Sequence, residues 1–368
     1  MQLGANMQEF SKLRIVEIGQ APFMKRALPA QVTYFSTWFD GDPRKIEGNG
    51  NYVVSLASIN KLWRLVHELQ TALVVCHPSA LSPWSWRWIL RALFDRRVLR
   101  GSIPFVRAMG PQILRWPISP PLVVLDFEDL PLINRNNFYL LDRCALYFKR
   151  ELPSDYWRVF LKTGHANLPT PRFRSSARYK ARVNKLRPIS LGLPSWTIPH
   201  TAVDDHKSTD IFFAGNIEGS SSVRREGLAE LLALRDRGFE VDVAERRLSL
   251  SEFYERCAKA RLTWSPEGLG WDCFRHYEAA MCQSVPLINQ PTIARYQPLL
   301  HNVHAVYYDL EEGGLTRAAT AALADKSQLA TMGRAARAHV LSHHTVEAMA
   351  RHIVCTSLHT PHAGGCIP

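Results

Sequence analysis

The apolar positions along this chain fall into two patterns, short unbroken runs and stretches in which apolar residues return every three or four positions. Unbroken short runs predict strands buried on both faces, and the longer spacing predicts amphipathic helices between them. From residue 210 onward the two alternate regularly. DIFFAGN (210–216) is a strand, followed by a helical stretch over 223–237 with Leu228, Leu231 and Leu232, then the strand FEVDVA (239–244). Next come the helix SEFYERCAKA (251–260), the strand RLTWS (261–265), the loop PEGLGW (266–271), a helix over 272–283, and the strands VPLIN (285–289) and HAVYYD (304–309). Ser249 with Glu252 spells a capping box for the helix at 251, and Ala-rich helices close the domain. Strands alternating with helices predict a parallel sheet with helices on its faces.

The first half is less regular but of the same class. Strands are predicted at LRIVEIG (13–19), QVTYFS (31–36), YVVSLAS (52–58), ALVVCH (72–77), PLVVLDF (121–127) and ALYFKR (145–150). Between them SINKLWRLVHEL (58–69) carries the apolar stripe Leu62, Leu65, Val66 and Leu69 of a helix. Residues 163–209 are rich in Pro, Ser and Arg; within them ARYKARVNKLRPISLGLP (177–194) is expected to hold a helix and a last strand, with a domain boundary near 191–209. The end, SLHTPHAGGCIP (357–368), reads as a loose tail.

Composition adds little to this picture. At 368 residues the chain has room for two domains, and 46% apolar with 21% charged residues is ordinary for a folded protein. The seven cysteines (Cys76, Cys144, Cys257, Cys273, Cys282, Cys355, Cys366) are odd in number and never spaced C-x-x-C, which argues against a disulfide framework or a structural zinc and for a reducing compartment. No apolar run approaches the roughly 18 residues that span a bilayer, so a cytoplasmic location is expected.

Charge changes the picture more. A net charge of +12 predicts an anionic partner: nucleic acid, acidic lipid or a phosphorylated small molecule. The Lys and Arg are dispersed and no zinc finger, RNP-like strand or basic zipper is present, so nucleic acid is not expected. SPWSWRWILRALFDRRVLRG (82–101) interleaves Trp84, Trp86 and Trp88 with Arg87, Arg91, Arg96 and Arg97, which suits either a domain helix that buries Trp and solvates Arg, or peripheral contact with an anionic membrane at its cytoplasmic face.

Two loops at strand ends carry candidate chemistry. After RLTWS, Gly268 and Gly270 permit close approach of a ligand to the backbone, and a helix starting near Asp272 is expected to offer its free N–H groups to an anion. Arg275 and Glu278 share a face of that helix while Phe274, Tyr277 and Met281 form the packed one; Arg275 can bridge phosphate oxygens and Glu278 can accept the two hydroxyls of a ribose. The plainer alternative is an intrahelical Arg–Glu pair. After DIFFAGN, Gly215 and Asn216 lead through IEGSSSV to Arg224 and Arg225, the outline of a phosphate loop.

FFAGN, RRE, EFYERCAKARLTWSPEGLGWDCFRHYEAAMCQSVPLIN and the late stretch MGRAARAHVLSHHTVEAMARHIV (332–354) together resemble the donor-binding half of GT-B glycosyltransferases, notably the spore-maturation-type and exostosin-like groups with an R-x-x-E helix. The resemblance implies an α/β GT-B-like fold of two Rossmann-type domains facing across a cleft. It divides the chain into an acceptor domain (1–195), a nucleotide-sugar-binding domain (196–342), a crossover helix (343–356) and a flexible tail (357–368). It implies that Glu278 holds the ribose, that Arg275 and Arg224 or Arg225 meet the diphosphate, and that Glu267 lies near the donor sugar. Glu267 and Glu278 stand farther apart than the paired glutamates of the best-known retaining GT-B family.

On this reading the donor is a nucleoside-diphosphate sugar, the acceptor a glycan, lipid-linked or small molecule, and no metal or other cofactor is required. An acceptor-activating base is sought in the first half, where Asp126, Glu128 and Asp129 follow PLVVL and His77 follows ALVVC; Lys149 and Arg150 can pair with the acids or meet a charged acceptor. Two alternatives stand beside it: a metal-dependent transferase of the GT-A architecture with the three acids as a D-x-D-like ligand set, and a noncatalytic nucleotide or polyanion binder.

Overall fold

The computed structural model describes residues 12–37, 47–78, 110–161, 176–194, 206–217 and 221–359. The first sheet is built from β1 (Ile15–Gly19), β2 (Val32–Ser36), β3 (Asn51–Val53), β4 (Leu73–Cys76), β5 (Leu122–Asp126), β6 (Leu146–Lys149) and β7 (Leu186–Pro188), with helices α1 (Phe23–Ala27), α2 (Leu56–His67), α3 (Phe138–Arg143) and α4 (Ala177–Val183). Its strands are all parallel, in the order β3-β2-β1-β4-β5-β6-β7. β1, β4, β5 and β6 are buried along their whole length, as their unbroken apolar runs predict.

The second sheet contains β8 (Thr209–Phe213), β9 (Val241–Val243), β10 (Ala260–Trp264), β11 (Val285–Asn289) and β12 (Val306–Tyr308) in the parallel order β12-β11-β10-β8-β9. Its helices are α5 (Ser222–Ala233), α6 (Leu250–Lys259), α7 (Phe274–Met281), α8 (Gly314–Leu323) and α9 (Lys326–His343). The Ser249–Glu252 capping box forms at α6. In each sheet the strand order reverses once, between β1 and β4 in the first and between β8 and β10 in the second; the carboxyl ends of strands beside such a reversal are where open α/β sheets bind ligands.

Several sequence expectations are corrected in detail. On α2 Leu62 and Val66 are buried, but Leu69 falls beyond the last turn and is 93% exposed. On α5 Leu231 is buried while Leu232 faces out, and the packed face instead uses Gly227, where a Cβ would stand 2.5 Å from the Trp264 ring. α10 (Val346–His359) runs through the first three residues of the expected tail; Ser357 is buried and its hydroxyl donates to Ile353 O at 2.6 Å.

α10 belongs to the core of the first domain. Val346, Met349, Ala350, Ile353 and Val354 pack with Phe23, Met24, Val75, Leu125 and Phe148. The return is stitched to the interdomain segment, Leu193 N donating to His344 O (2.7 Å) and Val346 N to Leu193 O (3.0 Å).

A second joint lies just after β6. The buried Glu151 carboxylate accepts Trp271 N and Asp272 N, both at 2.9 Å, and Ala294 N donates to Leu152 O at 2.8 Å. Asp272 in turn accepts Leu191 N (2.9 Å) and Tyr277 Oη (2.5 Å). Burial raises the Asp272 pKa to about 6 from 3.8, against the pull of the Tyr277 hydrogen bond and of Arg150. A carboxyl that holds its proton more tightly folded than unfolded favours the fold most below the unfolded pKa, and this contribution is lost as pH rises through the folded value. Unfolding free energy is therefore expected to lose up to about 3 kcal/mol from this group between pH 4 and 6, and Asp272→Asn to flatten that part of the profile, as urea titrations across pH will register.

Candidate functional site

The carboxyl edge of the second sheet gathers two guanidinium groups at its reversal point. Gly215, after β8, lies against Arg275, since a Cβ there would be 2.6 Å from Nη2; Gly268, after β10, lies against Arg224, at 2.9 Å from its Nη2. The lack of side chains at these two positions makes room for both cations. Arg224, on the first turn of α5, is buried and held by carbonyls, with Nε donating to Glu267 O (2.9 Å) and Nη1 to Asn216 O (3.0 Å). Its pKa is lowered, first by burial and then by the charge of Arg275.

Arg275 lies over the Phe213 ring, 5.3 Å from its centroid, and its Nε and Nη1 are buried with no hydrogen-bond partner. Neither arginine has a carboxylate partner among the described residues. Two desolvated cations that repel one another are costly unless an anion joins them, so the pair is built to receive oxyanions.

One turn beyond Arg275, Glu278 is largely buried and accepts a long bond from Tyr254 Oη (3.4 Å); burial raises its pKa while Arg275 opposes the rise. Glu267 is fixed by Asn289 at the end of β11, its N–H donating to Oδ1 (2.9 Å) and its carboxylate accepting from Nδ2 (3.1 Å). His276 braces the loop from beneath: Nε2 donates to Trp271 O (2.9 Å) and Nδ1 accepts the Ser265 hydroxyl (2.7 Å). Burial pushes its pKa down to about 3, so it is a neutral strut.

The sequence reading is corrected at several positions here. Gly270 serves the interdomain joint, since a Cβ there would stand 2.5 Å from Glu151 Oε1 and 2.8 Å from Arg150 Nη2. The N–H groups of Trp271 and Asp272 are not free for a ligand, because they bind Glu151, and the helix itself starts at Phe274 rather than near Asp272. Phe274 is 46% exposed, whereas Tyr277 and Met281 are buried as expected. Arg225 is exposed and makes none of the Arg224 contacts, and Asn216 contributes its carbonyl from an exposed position.

In the first domain the acids separate. Asp126 is buried and committed: Oδ2 accepts Tyr147 Oη (2.8 Å) and Lys149 Nζ (3.1 Å), and Oδ1 accepts Glu128 N (3.1 Å). Asp129 pairs with Arg150. The expectation that either serves as base is therefore corrected, and Lys149 and Arg150 take the pairing role. Glu128 has no side-chain partner among the described residues, and burial with the nearby Asp126 charge raises its pKa. It lines a cavity of about 320 Å³ with Pro78, Leu130, Leu132, Ile133 and Asn134.

His77 is buried after β4 with Nε2 2.9 Å from Glu17 Oε1. Glu17 went unrecognised in the sequence, although an acid in the middle of the apolar run LRIVEIG was the available signal. Glu151 and Asn289 carried no such signal. The basic-aromatic segment 82–101 lies outside the described residues, as do residues 218–220 of the loop before α5. No helix among the described residues is long and apolar enough to cross a membrane, and none of their His, Cys, Asp and Glu side chains forms a metal-binding cluster of three or more.

No family model matches the chain, and no curated protein matches it. Solved structures do. The Anabaena protein HepE in complex with UDP is 12% identical with a TM-score of 0.52, covering 94% of this chain and 99% of its own. The same protein in complex with UDP-glucose gives 13% identity and 0.50 over the same shares. A glycosyltransferase from Rickettsia africae is 10% identical with a TM-score of 0.52, covering 95% of this chain and 99% of its own. The architecture shared with them, two parallel-stranded α/β sheets, is the GT-B fold.

Proposed function

We propose that the protein is a glycosyltransferase that moves a sugar from a nucleoside-diphosphate donor to an acceptor hydroxyl in glycoconjugate synthesis. One observation carries the reading: Arg224 and Arg275 meet at the reversal point of the second sheet, and two nitrogens of Arg275 are buried without a partner. A diphosphate has the charge and the number of oxygens to satisfy both guanidinium groups. The GT-B fold and a neighbour crystallised with UDP and UDP-glucose support the same ligand class.

The acceptor oxygen attacks the anomeric carbon while the bond from that carbon to the diphosphate oxygen breaks. The electron pair departs with the nucleoside diphosphate, whose developing charge Arg224 and Arg275 stabilise. Glu278 takes the ribose hydroxyls, and Glu267, steadied by Asn289, lies toward the sugar. The arginines supply the charge that a divalent metal supplies elsewhere, so turnover is expected to survive EDTA. The D-x-D-like alternative is disfavoured by the commitment of Asp126 to Tyr147 and Lys149 and of Asp129 to Arg150.

The test is a thermal-shift panel of UDP, GDP, ADP, TDP and CMP. One nucleoside diphosphate should raise the melting temperature well beyond the others, because a ligand selective for the folded state stabilises it by an amount that grows with the logarithm of its concentration over Kd. If no nucleotide does so at millimolar concentration, the donor reading fails.

A further inference from the structure

We infer that Tyr277 is a positioning residue that hangs α7, and with it Arg275 and Glu278, from the two segments by which the chain crosses between its domains, which deepens the donor reading above and rests on it. Tyr277 stands between Arg275 and Glu278 in sequence, and its buried side chain reaches both crossings. At the outgoing crossing its hydroxyl donates to Asp272 Oδ1 (2.5 Å), while Asp272 Oδ2 accepts Leu191 N (2.9 Å). At the returning crossing its ring lies 4.7 Å from that of His344, centroid to centroid.

The crossings are also tied to each other. The Ser190 hydroxyl donates to His344 Nδ1 (2.8 Å), His344 Nε2 donates to Gln297 O (2.8 Å), and Leu193 shares backbone hydrogen bonds with His344 and Val346. Gly192 has a φ of +73°, and Met349 Sδ lies 2.7 Å from where its Cβ would stand. Packing this close transmits a shift of either crossing to α7 rather than absorbing it.

The tie depends on a charge. Ionised, the Asp272 carboxylate accepts both of its bonds; protonated, it must donate one hydrogen, and the Tyr277 oxygen is the neighbour in place to take it, so the present bond is given up. Burial places that change near pH 6. Donor affinity is therefore full above pH 6 and falls as pH drops through it. The direct field of the carboxylate acts the other way, since losing a negative charge favours an anionic ligand, and the sign separates the two effects.

Arg150 and Glu151 from the end of β6 and Tyr307 from β12 also face Asp272. Arg150, raised by Asp129 against its burial, stays charged. Burial keeps both tyrosines neutral, with Tyr307 raised to about 12, and holds His344 down to about 3. Burial also raises Glu151 and, in the donor seat, Glu278, so the variants rather than the parent profile are decisive.

The experiment titrates the full chain with UDP-glucose, which lacks the terminal phosphate whose second pKa of about 6 would confuse a titration with UDP. Affinity scales with the ionised fraction of Asp272, so the parent should bind about tenfold more weakly at pH 5 than at pH 7.5. Tyr277→Phe should bind about tenfold more weakly than the parent at pH 7.5 and change less than about twofold between the two pH values. A parent affinity that is flat or tighter at pH 5, or a Tyr277→Phe profile with the parent's slope, overturns the proposal. Should Tyr277→Phe not fold, Asp272→Asn carries the same arm, with affinity low and flat in pH. Hydrogen exchange supplies an arm that needs no donor: in Tyr277→Phe the amides of Leu191, Leu193 and Val346 should exchange about tenfold faster, with those of β10 unchanged. Exchange at the parent's rate at all three also overturns it. A parent that UDP-glucose binds at neither pH strikes the donor reading instead, and the exchange arm still decides whether Tyr277 ties α7 to the crossings.

Discussion

Arg275→Ala is expected to lower turnover by about a hundred- to a thousand-fold, the usual cost of losing one preorganised donor to a developing negative charge. The prediction is sharp because Arg275 has no other visible duty: it makes no hydrogen bond or ion pair with the described residues and only lies over Phe213. Its removal relieves repulsion with Arg224, so the ligand-free protein should be as stable as the parent or more so. Arg275→Lys should recover little, since an ammonium cannot span two phosphate oxygens from the same stem. Calorimetric titration with UDP alongside urea unfolding separates the two effects. Loss of stability in step with loss of binding would mean that the arginine is a structural group and the anion seat lies elsewhere.

The second large effect is on stability. Glu151→Ala should cost about 3–5 kcal/mol, because it leaves the N–H groups of Trp271 and Asp272 buried without an acceptor and takes away the carboxylate facing Arg150 Nε at 3.3 Å. The same loss frees the loop that carries Gly268 from the first domain, so donor affinity should weaken too. An unfolding free energy, from urea titration, that stays within about 1 kcal/mol of the parent would show that this joint does not hold the domains.

Both predictions involve residues that differ in how plainly the sequence announced them. Strands such as LVVC and VPLIN were legible because burial on two faces leaves no polar positions, and α6 because its capping box is local. Arg275 and Arg224 were legible as candidates because each follows a strand end through a glycine-bearing loop. The sequence could not say which of Arg224 and Arg225 turns inward, since that depends on where α5 starts and how it packs.

The acids of the first domain show the opposite limit. Asp126 looked as available as Glu128 until Tyr147 and Lys149, two positions on the neighbouring strand, closed around it. The Glu17–His77 contact spans sixty residues of sequence and exists only because β1 and β4 are neighbours. Gly270 was misassigned for a similar reason: a glycine that admits a ligand and one that admits another domain's carboxylate have the same local pattern.

The last helix has a consequence for how the molecule is made. Because Met349, Ile353 and Val354 fill the face of the first sheet formed by Val75, Leu125 and Phe148, that face stays uncovered until α10 has left the ribosome. The first sheet must therefore wait for a helix that is translated after the whole of the second sheet. Chains released early, short of residue 346, would expose a ready-made apolar surface to chaperones and proteases.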